Sequence, residues 1–184
     1  MKITETKLPG VLLIEPQAFQ DSRGFFFESY HYERYRQSGI LLPFIQDNIS
    51  RSTKNVLRGL HFQLQHTQGK LVGVTRGAVY DVAVDVRYGS PTFGQSVGYL
   101  LDDQKHCQLY IPPGFAHGFC VLSEEVDFYY KCTDIYHPPS EVGLLWNDPD
   151  LKIDWPVKDP ILSEKDQRYL PLKDLTREQL PSYE

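Results

Sequence analysis

The sequence predicts an all-β fold, an antiparallel sandwich or barrel, because several segments alternate apolar and polar residues with period two and turn residues cut the chain into short pieces. Gly10–Glu15 and Gly24–Glu28 read as the first strands, separated by the turn Asp21-Ser22-Arg23-Gly24. Tyr32–Ser38 reads as a helix ended by Gly39. Phe44–Ser52 and Leu57–Gln63 follow as strands. Leu71–Val86 is the clearest case, broken only at Arg76-Gly77. In its second half Tyr80, Val82, Val84 and Val86 point one way, and Val79, Asp81, Ala83 and Asp85 the other. Ser96–Leu101, Gln108–Ile111, His117–Leu122, Glu125–Cys132 and Gly143–Trp146 complete the strands. Gly89-Ser90-Pro91, Asp102-Asp103, Pro112-Pro113-Gly114 and His137-Pro138-Pro139-Ser140 supply turns between them. From Ser163 onward the chain reads as short helices and turns, with Ser163 an N-cap and Asp166 at the third helical position.

The 184 residues suit one domain, residues 1–184. Apolar residues at 41% and charged residues at 23% exclude a disordered chain. No apolar run approaches the roughly 20 residues of a membrane span. Val11-Leu12-Leu13-Ile14 is too short a patch for a secretory signal. The net charge of −5 argues against nucleic acid as the main partner. A phosphorylated small molecule needs only a few local cations and stays open. Cys107, Cys120 and Cys132 form no CxxC pair, so they read as small buried residues of a cytoplasmic protein.

Two histidines stand in informative surroundings. His61 lies in Arg58-Gly59-Leu60-His61-Phe62-Gln63, where His61 and Gln63 share a strand face and Leu60 and Phe62 take the apolar one. His117 follows the turn in Pro112-Pro113-Gly114-Phe115-Ala116-His117, at the start of the next strand. The Pro-x-Gly-x-x-His spacing resembles the second motif of the cupins, double-sheet jelly rolls that often bind a metal. A cupin metal site also needs a His-x-His pair and a nearby Glu. Here the pair has become His61-Phe62-Gln63, and Gln65 to Gln68 contain no carboxylate. Two histidines without a third strong ligand make a poor metal site, so no metal is expected. A metal-free imidazole, with an ordinary pKa near ~6.5, is free to accept a proton.

The blocks Asp21-Ser22-Arg23-Gly24-Phe25-Phe26-Phe27-Glu28, Gln46-Asp47-Asn48, Asn55 to Gln63, Gln68-Gly69-Lys70-Leu71-Val72, Ser90-Pro91-Thr92-Phe93-Gly94, Ile111 to Phe119 and Leu162 to Asp166 occur in order over nearly the whole chain. Together they resemble the dTDP-4-dehydrorhamnose 3,5-epimerase family. The resemblance implies a cupin-type jelly roll with short C-terminal helices. It also implies a homodimer without metal or cofactor, acting on a dTDP-4-keto-6-deoxy sugar nucleotide. The C4 ketone of such a sugar acidifies C3 and C5. A base takes each proton to give an enolate, and an acid returns one to the opposite face. No dinucleotide-binding glycine fingerprint is present, in keeping with chemistry that needs no redox cofactor.

The site residues implied are His61 as base, Asp166 as the carboxylate that orients it, Lys70 beside the ketone and Tyr130 as acid. Spacing alone does not separate Tyr129 from Tyr130; the Tyr-Lys-x-Thr match selects Tyr130. Arg23 and Arg58 match nucleotide-sugar contacts, for which arginine offers fork-shaped donors. Glu28, Gln46 and Asn48 match polar contacts to the thymidine, and Tyr136 an aromatic that stacks on the base. His117, Glu141 and Lys165 complete the set, with His117 a sugar contact. Asp81 reads either as a partner of His61 or Lys70 or as part of a solvated face. Family members exchange N-terminal strands, which implies that residues near Phe25–Glu28 reach a partner's site. The residues themselves show only an aromatic run that would equally suit a core. The chain departs from the family at Leu64-Gln65-His66-Thr67-Gln68 and at Gly73, where an arginine is common. The alternatives are an enzyme acting at one centre or moving the ketone, a metal-dependent cupin, and a sugar-nucleotide binding module without catalysis.

Overall fold

In the computed structural model, which describes residues 1–183, the alternating segments pair into two antiparallel sheets and one hairpin. The six-stranded sheet runs, in spatial order, β1 (Lys2–Glu5), β2 (Leu12–Glu15), β10 (Gln108–Ile111), β7 (Lys70–Arg76), β12 (Glu125–Cys132) and β5 (Gln46–Thr53). The five-stranded sheet runs β13 (Glu141–Gly143), β6 (Leu57–Gln63), β11 (Phe115–Val121), β8 (Ala78–Asp85) and β9 (Ser96–Asp102). The hairpin joins β3 (Ala18–Asp21) to β4 (Gly24–Phe27) and belongs to neither sheet.

The faces follow the period-two reading. Val79 and Ala83 of β8 turn inward and meet Val72 and Val74 of β7, Leu109 and Ile111 of β10, Phe119 of β11 and Phe128 of β12. Burying each such side chain contributes roughly 1.5–3 kcal/mol before the entropy of ordering it. The opposite face of β8, through Val82, Val84 and Val86, packs with Leu60 and Phe62 beneath Leu144, Leu151, Leu172 and Leu180 of the C-terminal segment. The five-stranded sheet thus packs apolar residues on both sides, while its inner face also carries His61 of β6, His117 of β11 and Asp81 of β8. The helix α1 (Tyr32–Gln37) packs Tyr35 against Ile14, Leu71 and Tyr110, on the outside of the other sheet. It ends before Gly39, whose φ of +93° turns the chain away.

Several boundaries differ from the sequence reading. β1 and β3 were not expected. β1 is too short for its alternation to stand out, and every residue of β3 is exposed, so neither carries an apolar face. The last strand is Glu141–Gly143 in place of Gly143–Trp146, because pairing with Gln63, Phe62 and His61 stops at Gly143. Near the C-terminus Ser163 Oγ accepts from the Asp166 amide at 3.1 Å, as an N-cap would. Regular 3-10 geometry nonetheless begins only at Asp166.

Candidate active site

β6 and β11 place the two histidines. His61 and His117 are direct partners in the β6–β11 register, and the register slips between His117 and Phe119. Gly59 permits that slip. Its φ is +116°, and a Cβ there would lie 2.5 Å from Gly118 Cα and 2.7 Å from the His117 carbonyl oxygen. Both imidazoles turn into a cavity of about 590 Å³ between the sheets. Arg58, Lys70, Tyr130, Ser163, Lys165 and Asp166 line it with them, beside Ser50 and the apolar wall of Val56, Leu57, Phe119, Phe128 and Ile161. His61, Lys70 and Tyr130 also line an adjoining cavity of about 240 Å³ with Gln46, Asn48, Gln63, Gln68, Tyr136 and Glu141. The two together have the size of a small-molecule site.

His61 Nε2 lies 2.6 Å from Asp166 Oδ1. Asp166 is buried, which alone raises its carboxyl. Hydrogen bonds from His61, Ser163 and the Gly59 backbone outweigh that and hold it below the usual carboxylate range. An ionised carboxylate only accepts, so the hydrogen of this bond sits on Nε2, which leaves Nδ1 as the ring nitrogen able to accept a proton. Tyr169 stands edge-on to the His61 ring, at 5.6 Å between centroids, and donates through its hydroxyl to Glu141 Oε1 at 3.1 Å. Glu141 is also ion-paired with Lys165.

His117 forms a second pair, its Nε2 2.9 Å from Asp81 Oδ2. Burial pushes His117 down and Asp81 up, and each partly offsets the other. Asp81 is thus fully buried, and its bonded partner is His117, not His61; the solvated face is excluded. Lys70 opens β7 at the same level. Burial lowers its ammonium, and Cys132, Glu141 and Asp81 act against that. Burial raises the Tyr130 phenol, so it stays protonated beyond its ordinary range. Tyr129 points the other way and accepts from Gln108 Nε2 at 2.8 Å, which separates the two tyrosines. Gly73 fits that outer face: a Cβ there would come within 2.7 Å of the Tyr129 hydroxyl.

The remaining candidates divide. Arg58 Nε is held by Ser52 Oγ at 3.0 Å at the mouth. Gln46 donates to Asn48 at 3.0 Å and accepts from the Tyr136 amide at 2.8 Å, so the loop carrying the exposed Tyr136 is tied to β5. Arg23 and Glu28 stand apart from both cavities. Arg23 pairs with Asp21 on the exposed hairpin, and Glu28 with Arg34 of α1. The sequence reading missed Ser50, Ser52 and Tyr169. Ser50 and Ser52 share the inward face of β5 with Gln46 and Asn48, and period two was the signal that would have found them. Among the described residues no group of three or more His, Cys, Asp or Glu side chains could hold a metal ion.

Comparison with known proteins gives the same direction from three sides. A family model described as dTDP-4-dehydrorhamnose 3,5-epimerase matches residues 5–174. A dTDP-4-dehydrorhamnose 3,5-epimerase of Pseudomonas aeruginosa is 55% identical over 170 residues, covering 91% of this chain and 94% of the relative. The fold matches, at a TM-score of 0.97 and 52% identity, the crystal structure of the dTDP-6-deoxy-D-glucose-3,5-epimerase RmlC from Legionella pneumophila Philadelphia 1 in complex with dTDP-4-keto-L-rhamnose, covering 100% of this chain and 98% of that one. It also matches ChmJ, a 3'-monoepimerase from Streptomyces bikiniensis in complex with dTDP-quinovose, at a TM-score of 0.91 and 33% identity, over 97% and 92% of the two chains.

Proposed function

The chain belongs to the dTDP-4-dehydrorhamnose 3,5-epimerase family, and on that premise we propose how its cavity performs the reaction. The enzyme is an isomerase. It inverts C3 and C5 of dTDP-4-dehydro-6-deoxy-D-glucose to give dTDP-4-dehydro-L-rhamnose, in dTDP-L-rhamnose biosynthesis. In our reading His61 Nδ1 takes the proton from carbon, and Asp166 fixes the tautomer and stabilises the imidazolium that forms. The carbon acid is far weaker than imidazolium, so the enolate must be stabilised as it forms. Lys70 donates to the C4 oxygen, a contribution of ~2.7–4 kcal/mol for a preorganised donor. Tyr130, kept protonated by burial, returns a proton to the opposite face.

The observation that carries this reading is the 2.6 Å bond from His61 to a carboxylate held ionised, with Lys70 and Tyr130 on the same cavity wall. Arg58 and Lys165 supply charge for the diphosphate. Gln46, Asn48, Tyr136 and Glu141 take the nucleoside in the adjoining cavity, and His117 meets the sugar. Arg23 and Glu28 reach neither of these two cavities within one chain. The exposed aromatic hairpin that carries Arg23 suits a homodimer in which it serves the partner's site. Three free, buried cysteines suit a reducing cytoplasm, and among the described residues no helix is long and apolar enough to cross a membrane.

Isotope exchange tests the assignment. In D2O the product carries deuterium at C3 and C5, and His61→Ala incorporates it at both carbons about 10³-fold more slowly. Incorporation at an undiminished rate in His61→Ala removes His61 as the base. Deuterium at one carbon only in the unaltered enzyme would mark a single-centre reaction like that of ChmJ.

A further inference from the structure

Two buried side-chain polar atoms among the described residues have no hydrogen-bond partner, Ser50 Oγ and Asp81 Oδ1; Ser50 lines the cavity itself, and Asp81 lies behind it, bonded to His117. Asp81 has charged company in His117 and Lys70. Ser50 has none. Its neighbours on the inward face of β5 are satisfied, Asn48 by Gln46 and Ser52 by Arg58. Its register partner on β12 is Phe128, which offers nothing to a hydroxyl. An unmatched hydroxyl on a strand face whose other polar groups are satisfied is a cost to the protein, and it disappears when a ligand brings the missing partner.

We propose that Ser50 is a specificity-determining residue whose hydroxyl bonds the C2 hydroxyl of the sugar, so that the enzyme selects 2-hydroxylated over 2-deoxy 4-keto sugar nucleotides. The inference rests on the substrate assignment above. Chemistry occupies C3, C4 and C5, and C6 is a methyl group. The C3 hydroxyl swings to the other side as its carbon inverts. The C2 hydroxyl alone keeps its configuration from substrate to product, so a rigid strand residue can hold it throughout. A site with a buried hydroxyl rejects a ligand that leaves that hydroxyl unpaired.

The test is a two-by-two comparison of kcat/KM. The enzyme and Ser50→Ala are each given dTDP-4-keto-6-deoxyglucose and its 2-deoxy counterpart. The unaltered enzyme is expected to prefer the hydroxylated sugar at least about tenfold, and Ser50→Ala to lose most of that preference. Equal discrimination by both proteins, or none by either, overturns the proposal. Turnover of neither sugar by the unaltered enzyme would instead strike the substrate assignment. Thermal unfolding separates recognition from architecture. Ser50→Ala should melt at or above the temperature of the parent, since it removes an unpaired hydroxyl. A fall of several degrees would give Ser50 a structural role and overturn the proposal.

Discussion

His61 and His117 are register partners on adjacent strands, and each holds an aspartate, yet the two pairs sit in different surroundings. The His61 side chain keeps 26% of its surface exposed, and its aspartate is drawn below the usual range by three hydrogen-bond donors. The His117 side chain keeps 8%, its aspartate keeps none, and that carboxyl is pushed up with one oxygen unpartnered. The same two residue types thus make a pair open to the cavity in one place, which we propose to act as the base, and a buried pair in the other. What separates them is the number of donors aimed at each carboxylate and the access of the imidazole, not the pair itself.

The largest effect expected from this contrast is on rate. His61→Ala should lower kcat/KM about 10³-fold, within the span of general-base contributions, and cost less stability than His117→Ala, because Asp166 keeps its Ser163 and Gly59 donors. His117→Ala should cost much less in rate. Steady-state kinetics on the two variants break the contrast if His117→Ala is as slow as His61→Ala while folding as stably as the parent.

Stability should show the reverse order. His117→Ala leaves the Asp81 carboxylate buried with no bonded partner, which costs about 3 kcal/mol when a buried pair is broken. Denaturant unfolding should therefore show a loss for His117→Ala several times that for His61→Ala. Restoring a neutral residue at 81, as in the double variant with Asp81→Asn, should recover part of it. Equal losses for the two histidine variants would mean that burial does not distinguish the pairs.

The sequence disclosed the two pairs unequally. The alternation of Val79 to Val86 put Asp81 on the face of Val79 and Ala83 but left open whether that face is solvated; its partner lies 36 residues away, and register cannot be read from one strand. His61 and Asp166 are 105 residues apart, and resemblance, not pattern, joined them. Leu60 and Phe62 were legible as apolar, while the C-terminal cover that buries them was not, since that segment carries no period. Spacing did not separate Tyr129 from Tyr130 and only the resemblance selected Tyr130; the physical distinction came when β12 was flanked by β5 and β7, which fixed which face met the cavity. Ser50 was missed, although period two puts it on the face of Gln46 and Asn48. That its hydroxyl lacks a partner depends on every neighbour at once, which no local reading contains.

The smallest effect is a displacement along the pH axis, and it separates the two aspartates by a different route. Burial lowers Lys70, so its ammonium is lost below the ordinary lysine value of 10.5. If Lys70 acts as a cation on the enolate, activity falls as pH rises through that lowered value. Tyr130 does not set this limb, because burial moves its phenol upward. Stability moves the opposite way: between the folded and unfolded values the unfolded chain binds more protons at Lys70, so the folded state gains as pH rises. Asp81 is one of the groups that hold the Lys70 proton on, and Asp166 is not among them. Asp81→Asn should therefore move the alkaline limb of kcat/KM to lower pH, and Asp166→Asn should leave the limb in place while lowering the plateau. A limb that stays put in Asp81→Asn would detach the His117–Asp81 pair from the chemistry and leave it a feature of the core.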